Sequence, residues 1–235
     1  MPARYRNAFD GVAVREHAAI VARRAGTPAH AEIWRQEPQE RAVICVVADD
    51  RPGLLSYVSA SLATQRLDVV SAQAYTRTAA DGSDPEAVDF LWVQRGDDPA
   101  DPIRSADAVR VTDVLRGLIA GTLTMESVRR QGRRVVTPPA GAATKVSFDE
   151  TRQANLSVLT VTTFDRPGLL LAITLALFRA QVQIVASEVT TENGQVVDRF
   201  TIAELDGSPV VRHRRGAVQT AVLSAIDALA ERPHV

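Results

Sequence analysis

The sequence predicts an α+β protein made of one unit used twice, each unit a four-stranded antiparallel sheet with two helices on one face. Three observations predict it. Asp50-Arg51-Pro52-Gly53-Leu54-Leu55 returns as Asp165-Arg166-Pro167-Gly168-Leu169-Leu170, at an offset of 165 − 50 = 115 residues. Each copy follows an apolar, β-branched run, "AVICVVAD" from Ala42 and "LSVLTVTT" from Leu156. Each precedes apolar residues at helical spacing, Leu55, Val58 and Leu62 in one, Leu170, Ile173 and Leu177 in the other.

In chain order, Asp10-Gly11 can cap an opening helix with Val14, Ala18 and Val21 on its apolar face and Arg15, Arg23 and Arg24 off it. Gly26-Thr27-Pro28 ends that helix. "AEIWRQEP" is an extended segment before the first strand, and "TKVSFDE" holds the same place before the second copy, so each unit reads β-β-α-β-β-α. The helix after Gly53 ends near Gln65, followed by the strand "LDVVSAQAYTRT", the turn "AADGSDPE" and the strand "AVDFLWVQ". The second unit has "VQIVASEVTT", a tight Asn193-Gly194 turn and "QVVDRFTIAE". Asp89 matches Asp198 at 198 − 89 = 109, so the first turn is longer by 115 − 109 = 6 residues. Closing helices are predicted over Ser105 to Ala120, with Val111, Val114, Leu115 and Leu118, and over Pro209 to Ala230, with Val218, Val222, Ile226 and Leu229.

These elements divide the chain into an N-terminal helical segment (1–30), a first repeat (31–128), a connector (129–143) and a second repeat (144–235). The connector, "RRQGRRVVTPPAGAAT" and its surroundings, is rich in Arg, Pro and Gly. No aromatic residues interleave with its arginines, so it reads as a solvated linker rather than a nucleic-acid patch. Each repeat follows the ferredoxin-like plan. Leu91 and Val93, matched by Phe200 and Ile202, should face the helices, with Arg199 and Thr201 on the opposite face. Phe90 and Trp92, joined by Tyr75, sit on that opposite face in the first repeat. Large aromatics there imply a cover: the N-terminal helix, the other repeat or a second subunit.

Composition excludes several classes. The 235 residues are 46% hydrophobic and 23% charged, as in an ordinary globular protein. With 27 basic against 28 acidic residues there is no bulk field for nucleic acid or an anionic membrane. No apolar run approaches the ~18–20 residues that span a bilayer, and "MPARYRNAFD" lacks a secretory apolar stretch. Cys45, the sole cysteine, reads as a small core residue, and the cytoplasm is the expected compartment. The four histidines (His17, His30, His213, His234) are scattered, with His213 read as a solvated surface residue, so no metal and no cofactor are expected. Neither a His-Asp dipeptide nor a G-x-S-x-G nucleophile motif occurs.

The turn itself has a chemistry. A proline near the start of a helix has its φ already set, and the glycine beside it lets a ligand approach the backbone. First-turn N–H groups at the positive end of the helix dipole suit an anion such as an α-carboxylate. Asp50 or Asp165 could accept from an α-ammonium. A free amino acid carries both charges.

The doubled "DRPGLL" turn, with "VVDRFTI" after the second copy, resembles tandem ACT domains, the small-molecule-binding regulatory modules of amino-acid metabolism. Within that group the chain is most similar to the C-terminal part of the bacterial nitrogen-signalling (PII) uridylyltransferase/uridylyl-removing enzymes. "KVSFDE", "VTTFDRPGLLLAITLALF" and "QIVASEVTTENGQVVDRF" run nearly in step with their second ACT repeat, and "DDRPGLLSYVSASLA" and "AVDFLWV" fit the first more loosely. "VREHAAIVARR", with His17, resembles the helical stretch before the ACT pair. The resemblance spans roughly residues 10 to 230. It reaches neither the nucleotidyltransferase nor the phosphohydrolase domain of that family, so it implies a sensor that is not an enzyme.

The resemblance further implies a ligand at the interface of two modules, between the turn and the second strand of a partner. The residues this singles out are Asp50, Arg51, Pro52, Gly53, Leu54 and Gln73, and Asp165, Arg166, Pro167, Gly168, Leu169 and Glu188. Gln73 and Glu188 are equivalent, since 188 − 73 = 115. Arg51 and Arg166 either reach across to a partner's carboxylate or are simply solvated, the second being the preferred reading. Glutamine is the ligand the resemblance suggests. This chain departs from the family where Glu188 replaces a histidine and "TENGQ" replaces "TYGER". Three function classes follow: an amino-acid-binding regulatory protein with a regulatory protein partner, a ligand-free interaction and dimerisation module, and an RNA-binding ferredoxin-like protein. The first is the principal reading, with a homodimer as the expected assembly.

Overall fold

A computed structural model of the chain describes residues 1–78, 84–132, 143–149, 156–192 and 194–229. The N-terminal segment forms two helices, α1 (Ala3–Ala8) and α2 (Gly11–Arg23). Then come β1 (Ala29–Glu37), β2 (Arg41–Asp49), α3 (Leu54–Thr64), β3 (Leu67–Arg77), β4 (Glu86–Arg95), α4 (Ser105–Ile119) and α5 (Met125–Gly132). The second half repeats the order as β5 (Lys145–Phe148), β6 (Ser157–Phe164), α6 (Leu169–Arg179), β7 (Val182–Glu192), β8 (Gln195–Glu204) and α7 (Arg212–Asp227). This is the expected α+β architecture of two ferredoxin-like repeats. The segment expected as a linker is entered by α5, and its residues 133–142 lie outside the described part, as do Asn193 and most of the longer turn.

Both halves join in one eight-stranded antiparallel sheet, ordered β1-β2-β4-β3-β7-β8-β6-β5. At its centre β3 pairs with β7 through Ser71↔Thr190, Ala72↔Val189 and Gln73↔Glu188. The last pair joins equivalent residues, so a local two-fold axis relating the halves passes between them. Helix α3 packs on α6 across the same axis.

One continuous core lies between the sheet and α3, α4, α6 and α7, holding Ile44, Leu62, Leu91, Val93, Leu115, Leu159, Ile173, Leu177, Phe200, Ile202 and Val222. The assignment of Leu91, Val93, Phe200 and Ile202 to the helix side is borne out. The unbroken apolar run of β2 has its reason here. Ile44 and Val46 face the helices, whereas Val43, Cys45 and Val47 enter a second cluster on the other face. In β6 only alternate residues are buried, because one face alone is covered.

The second cluster explains the aromatics of β3 and β4. Tyr5 from α1 and Ile20 from α2, with Phe9 between them, cover Tyr75 and Phe90, with Trp34 and Trp92 packed at the rim. Tyr5 meets Tyr75 edge-on at 5.3 Å between ring centroids. The cover is therefore the N-terminal helical segment.

Its buried face differs from the expected one. Ala13, His17 and Ile20 point inward, while Val14 is 37% exposed. Both sets share one helical spacing, and an imidazole in the inner set hid it. His17 is buried because Tyr5 Oη lies 2.8 Å from its Nδ1, and desolvation holds its pKa down at about 4. Asp10 caps α2 as expected, accepting from Val12 N at 3.0 Å and Ala13 N at 2.8 Å. Burial drives the Cys45 thiol pKa upward, as befits an inert core residue. No helix among the described residues is long and apolar enough to cross a membrane.

Candidate functional site

The doubled turns lie beside the local two-fold axis, each facing the opposite half. The cleft at the first turn is lined by Asp50, Arg51, Gly53 and Asp89 on one side and by Phe178, Val182 and Ile184 on the other. The cleft at the second turn is lined by Asp165, Arg166, Gly168 and Asp198, facing Ser59, Ala63, Leu67 and Asp68. Each encloses 450–470 Å³ including its open mouth, of which ≈ 30 Å³ admits the centre of a water molecule. A bound amino acid would have to part the walls, α3 from α6.

The turns are built alike. Each helix starts at the leucine after the glycine, with Gly53 (φ 81°) or Gly168 (φ 77°) in the left-handed region at the N-cap. The prolines therefore stand two residues before the helix rather than at its first position. Glycine is required for its positive φ. Asp50 N–H donates to Pro85 O at 2.9 Å and Asp165 N–H to Gly194 O at 2.8 Å, tying each turn to the hairpin of its own half.

The expected second-strand residues are not brought to the turns. Val189 faces the helix-side core, so its neighbour Glu188 lies on the opposite face. There Glu188 lines an open depression, ≈ 620 Å³ including its mouth, with Thr190, Gln195, Val197 and Arg199. Gln73 is likewise opposite Ala72, accepting from Tyr75 Oη at 2.7 Å. The cause is a bulge in each strand, between Val69 and Ser71 and between Ile184 and Ala186. Val69 and Ile184 pack on the helix-side core, and the extra residue reverses the alternation after them. Further along the same two strands, Thr76 and Thr191 do line the clefts.

Asp89 and Asp198 are the residues that sequence reasoning missed. Both are buried, at 4% and 1% exposure. The signal was present, since each stands two residues before a core residue, Leu91 or Phe200, and must share its face. Desolvation, with the nearby charge of Asp165, raises the pKa of Asp198 well above the ordinary carboxylate value. Desolvation also raises that of Asp165, against the opposing hydrogen bond and charge of Arg166.

Arg166 is not solvated, and although it lines the second cleft its guanidinium is engaged within its own half. It is 7% exposed and donates to Thr163 Oγ1 at 2.9 Å and to the carbonyls of Phe164 and Ile226. It anchors the second turn to the end of α7, and burial lowers its pKa. Arg51 is half-buried at the first cleft, its Nε without a hydrogen-bond partner among the described residues. His213 is exposed, as expected. Among the described residues no group of three or more His, Cys, Asp or Glu is placed to hold a metal ion.

No protein-family profile matches this chain. Individual proteins do. It is 28% identical over 230 residues to the bifunctional uridylyltransferase/uridylyl-removing enzyme of Rhodospirillum rubrum, covering 93% of this chain and 23% of that protein. It is 30% identical over 184 residues to the enzyme of the same name from Gluconobacter oxydans, covering 73% of this chain and 18% of the relative. The Nitrobacter hamburgensis enzyme of that name is 27% identical over 183 residues, with coverages of 77% and 19%. The chain thus spans about a fifth of the length of these relatives. They correct the expectation of a protein that is not an enzyme, because every one is named as an enzyme. Missing catalytic motifs in a stretch that matches a fifth of an enzyme cannot support that exclusion. What the comparisons carry is similarity to one region of uridylyltransferase/uridylyl-removing enzymes.

Proposed function

We propose that this chain is an amino-acid-binding regulatory region of nitrogen or amino-acid metabolism, with tandem ACT modules over residues 31–128 and 144–235. The observation that carries the reading is the pair of equivalent clefts between the halves, each joining a glycine turn, a helix N-terminus and a buried carboxylate. Such a cleft offers first-turn N–H groups to a carboxylate and an acidic side chain to an ammonium. Because each cleft has walls from both halves, a ligand that fits one spacing of α3 and α6 better than another shifts the arrangement by its differential affinity. In the relatives the regulated activity would be uridylyl transfer and removal. Glutamine is the first candidate ligand; the partners on this reading are a second copy of the chain and a regulatory protein, in the cytoplasm.

The small water-sized space in each cleft favours a second reading, a ligand-free interaction module. RNA binding would need open aromatics on the sheet, whereas Phe90 is fully buried beneath the N-terminal helices. Thermal unfolding across the twenty common amino acids at millimolar concentration separates the first two. Stabilisation follows RT ln(1 + [L]/Kd), about 2.7 kcal/mol at a hundredfold excess over Kd. A selective shift for one amino acid is the expected outcome. No shift for any would transfer the weight to the interaction module.

A further inference from the structure

The two clefts are equivalent by position but not by content. At the first, a Cβ built on Gly53 would lie 2.6 Å from the ring of Phe178. At the second, a Cβ on Gly168 would meet nothing within 4 Å. The residue equivalent to Phe178 is Ala63, since 178 − 63 = 115, and Ala63 lines the second cleft. The polar groups differ in the same sense. Thr76 Oγ1 donates to Asp50 Oδ2 at 2.9 Å in the first cleft. Its counterpart Thr191 (191 − 76 = 115) has a buried Oγ1 with no partner among the described residues, and so does Oδ1 of Asp198. Asp198 lines the second cleft at 1% exposure, where an unpaired carboxylate oxygen is strongly disfavoured.

We infer that the second cleft alone is the ligand site: it takes a molecule with a primary ammonium, held by Asp198 and Thr191, while at the first the Phe178 ring occupies the approach to Gly53. The inference rests on the amino-acid-binding reading and sharpens it to one site of defined polarity. Asp165 and Asp68 add negative charge to the same cleft, and the Arg166 guanidinium is turned away onto α7. The cleft is thus arranged for a cation, and the described residues form no metal cluster. An α-amino acid would place its ammonium at Asp198 and its carboxylate toward the start of α6, where Leu169 N–H is taken by Arg166 O at 3.1 Å and the N–H groups that follow would receive it.

Calorimetric titration of the whole chain with the amino acid that gives the largest thermal shift tests this, beside the matching 2-hydroxy acid, which lacks the ammonium. The expected result is one equivalent bound per chain, with at least tenfold weaker binding of the hydroxy acid. Asp198→Asn should lose at least tenfold in affinity. Ala63→Phe, which gives the second cleft the ring that the first already accommodates, should abolish binding in a folded protein. Two equivalents per chain, or unchanged affinity in either variant, would overturn the inference and leave amino-acid binding standing. If none of the twenty amino acids binds the unaltered chain, the broader reading falls and the inference with it.

Discussion

Gly53 and Gly168 share a backbone conformation but not an environment, and a single methyl group distinguishes them. Alanine in the left-handed region costs about 1–2 kcal/mol at either position. At Gly53 it must also displace the Phe178 ring. Denaturant unfolding should therefore show Gly53→Ala losing more stability than Gly168→Ala, and equal losses would remove the distinction between the clefts. Asp198 makes a prediction with a sign. Its folded pKa is raised above the unfolded value near 3.8, so its favourable contribution is complete below that value and lost as pH rises through the folded pKa. Asp198→Asn, which cannot ionise, should be more stable than the natural chain at neutral pH. The difference should vanish in acid, and a destabilised variant at neutral pH would mean that Asp198 is paired and ionised. The turns themselves were legible in the sequence because Pro-Gly punctuation is local. Gln73 and Glu188 were misplaced because a bulge leaves no mark in composition yet reverses every side chain after it.

Among the elements, α1 and α2 act as a cover, fastened at both ends. Tyr5 and Phe9 fill the aromatic face, and Arg24, after α2, ion-pairs with Asp49 of β2 and with Glu86 of β4 at 2.6 Å. Replacing Tyr5 with Ala removes a nearly buried ring and the partner of His17, so a loss of about 3 kcal/mol is expected from packing. Increased binding of a hydrophobic dye should accompany it; unchanged dye binding would mean that the sheet face stays covered. The helix was predictable from its Asp10 cap. Its inner face was not, because a histidine joins Ala13 and Ile20 there, its Nδ1 paired with Tyr5 and its Nε2 buried without a partner among the described residues. Helix α1 was missed because its six residues carry less than two turns of pattern. The second protonation test lies here: His17 stays neutral when folded, with a pKa of about 4 against 6.5. Its stabilisation is complete above 6.5 and lost as pH falls toward 4. A His17→Phe variant should flatten that part of the stability profile.

At the scale of the molecule, the halves share one core across the β3–β7 seam. Both tryptophans, Trp34 and Trp92, lie in the first half, and Leu177 is fully buried in α6 of the second. Leu177→Ala should cost about 2–5 kcal/mol, and the loss should appear equally in tryptophan fluorescence from the first half. A fluorescence midpoint that stayed in place would mean that the halves unfold separately. The seam was invisible in the sequence, because three backbone pairs between Ser71–Gln73 and Glu188–Thr190 demand no special residues. The axis through Gln73 and Glu188 has one more consequence. Two identical chains meeting about such an axis would have to carry any substitution twice, so a ring that stopped one cleft would stop both. Covalent continuity lifts that constraint. A single polypeptide can set phenylalanine at 178 against alanine at 63, and a chain with the single site inferred above would respond to its effector along a simple hyperbola with no cooperativity between its halves.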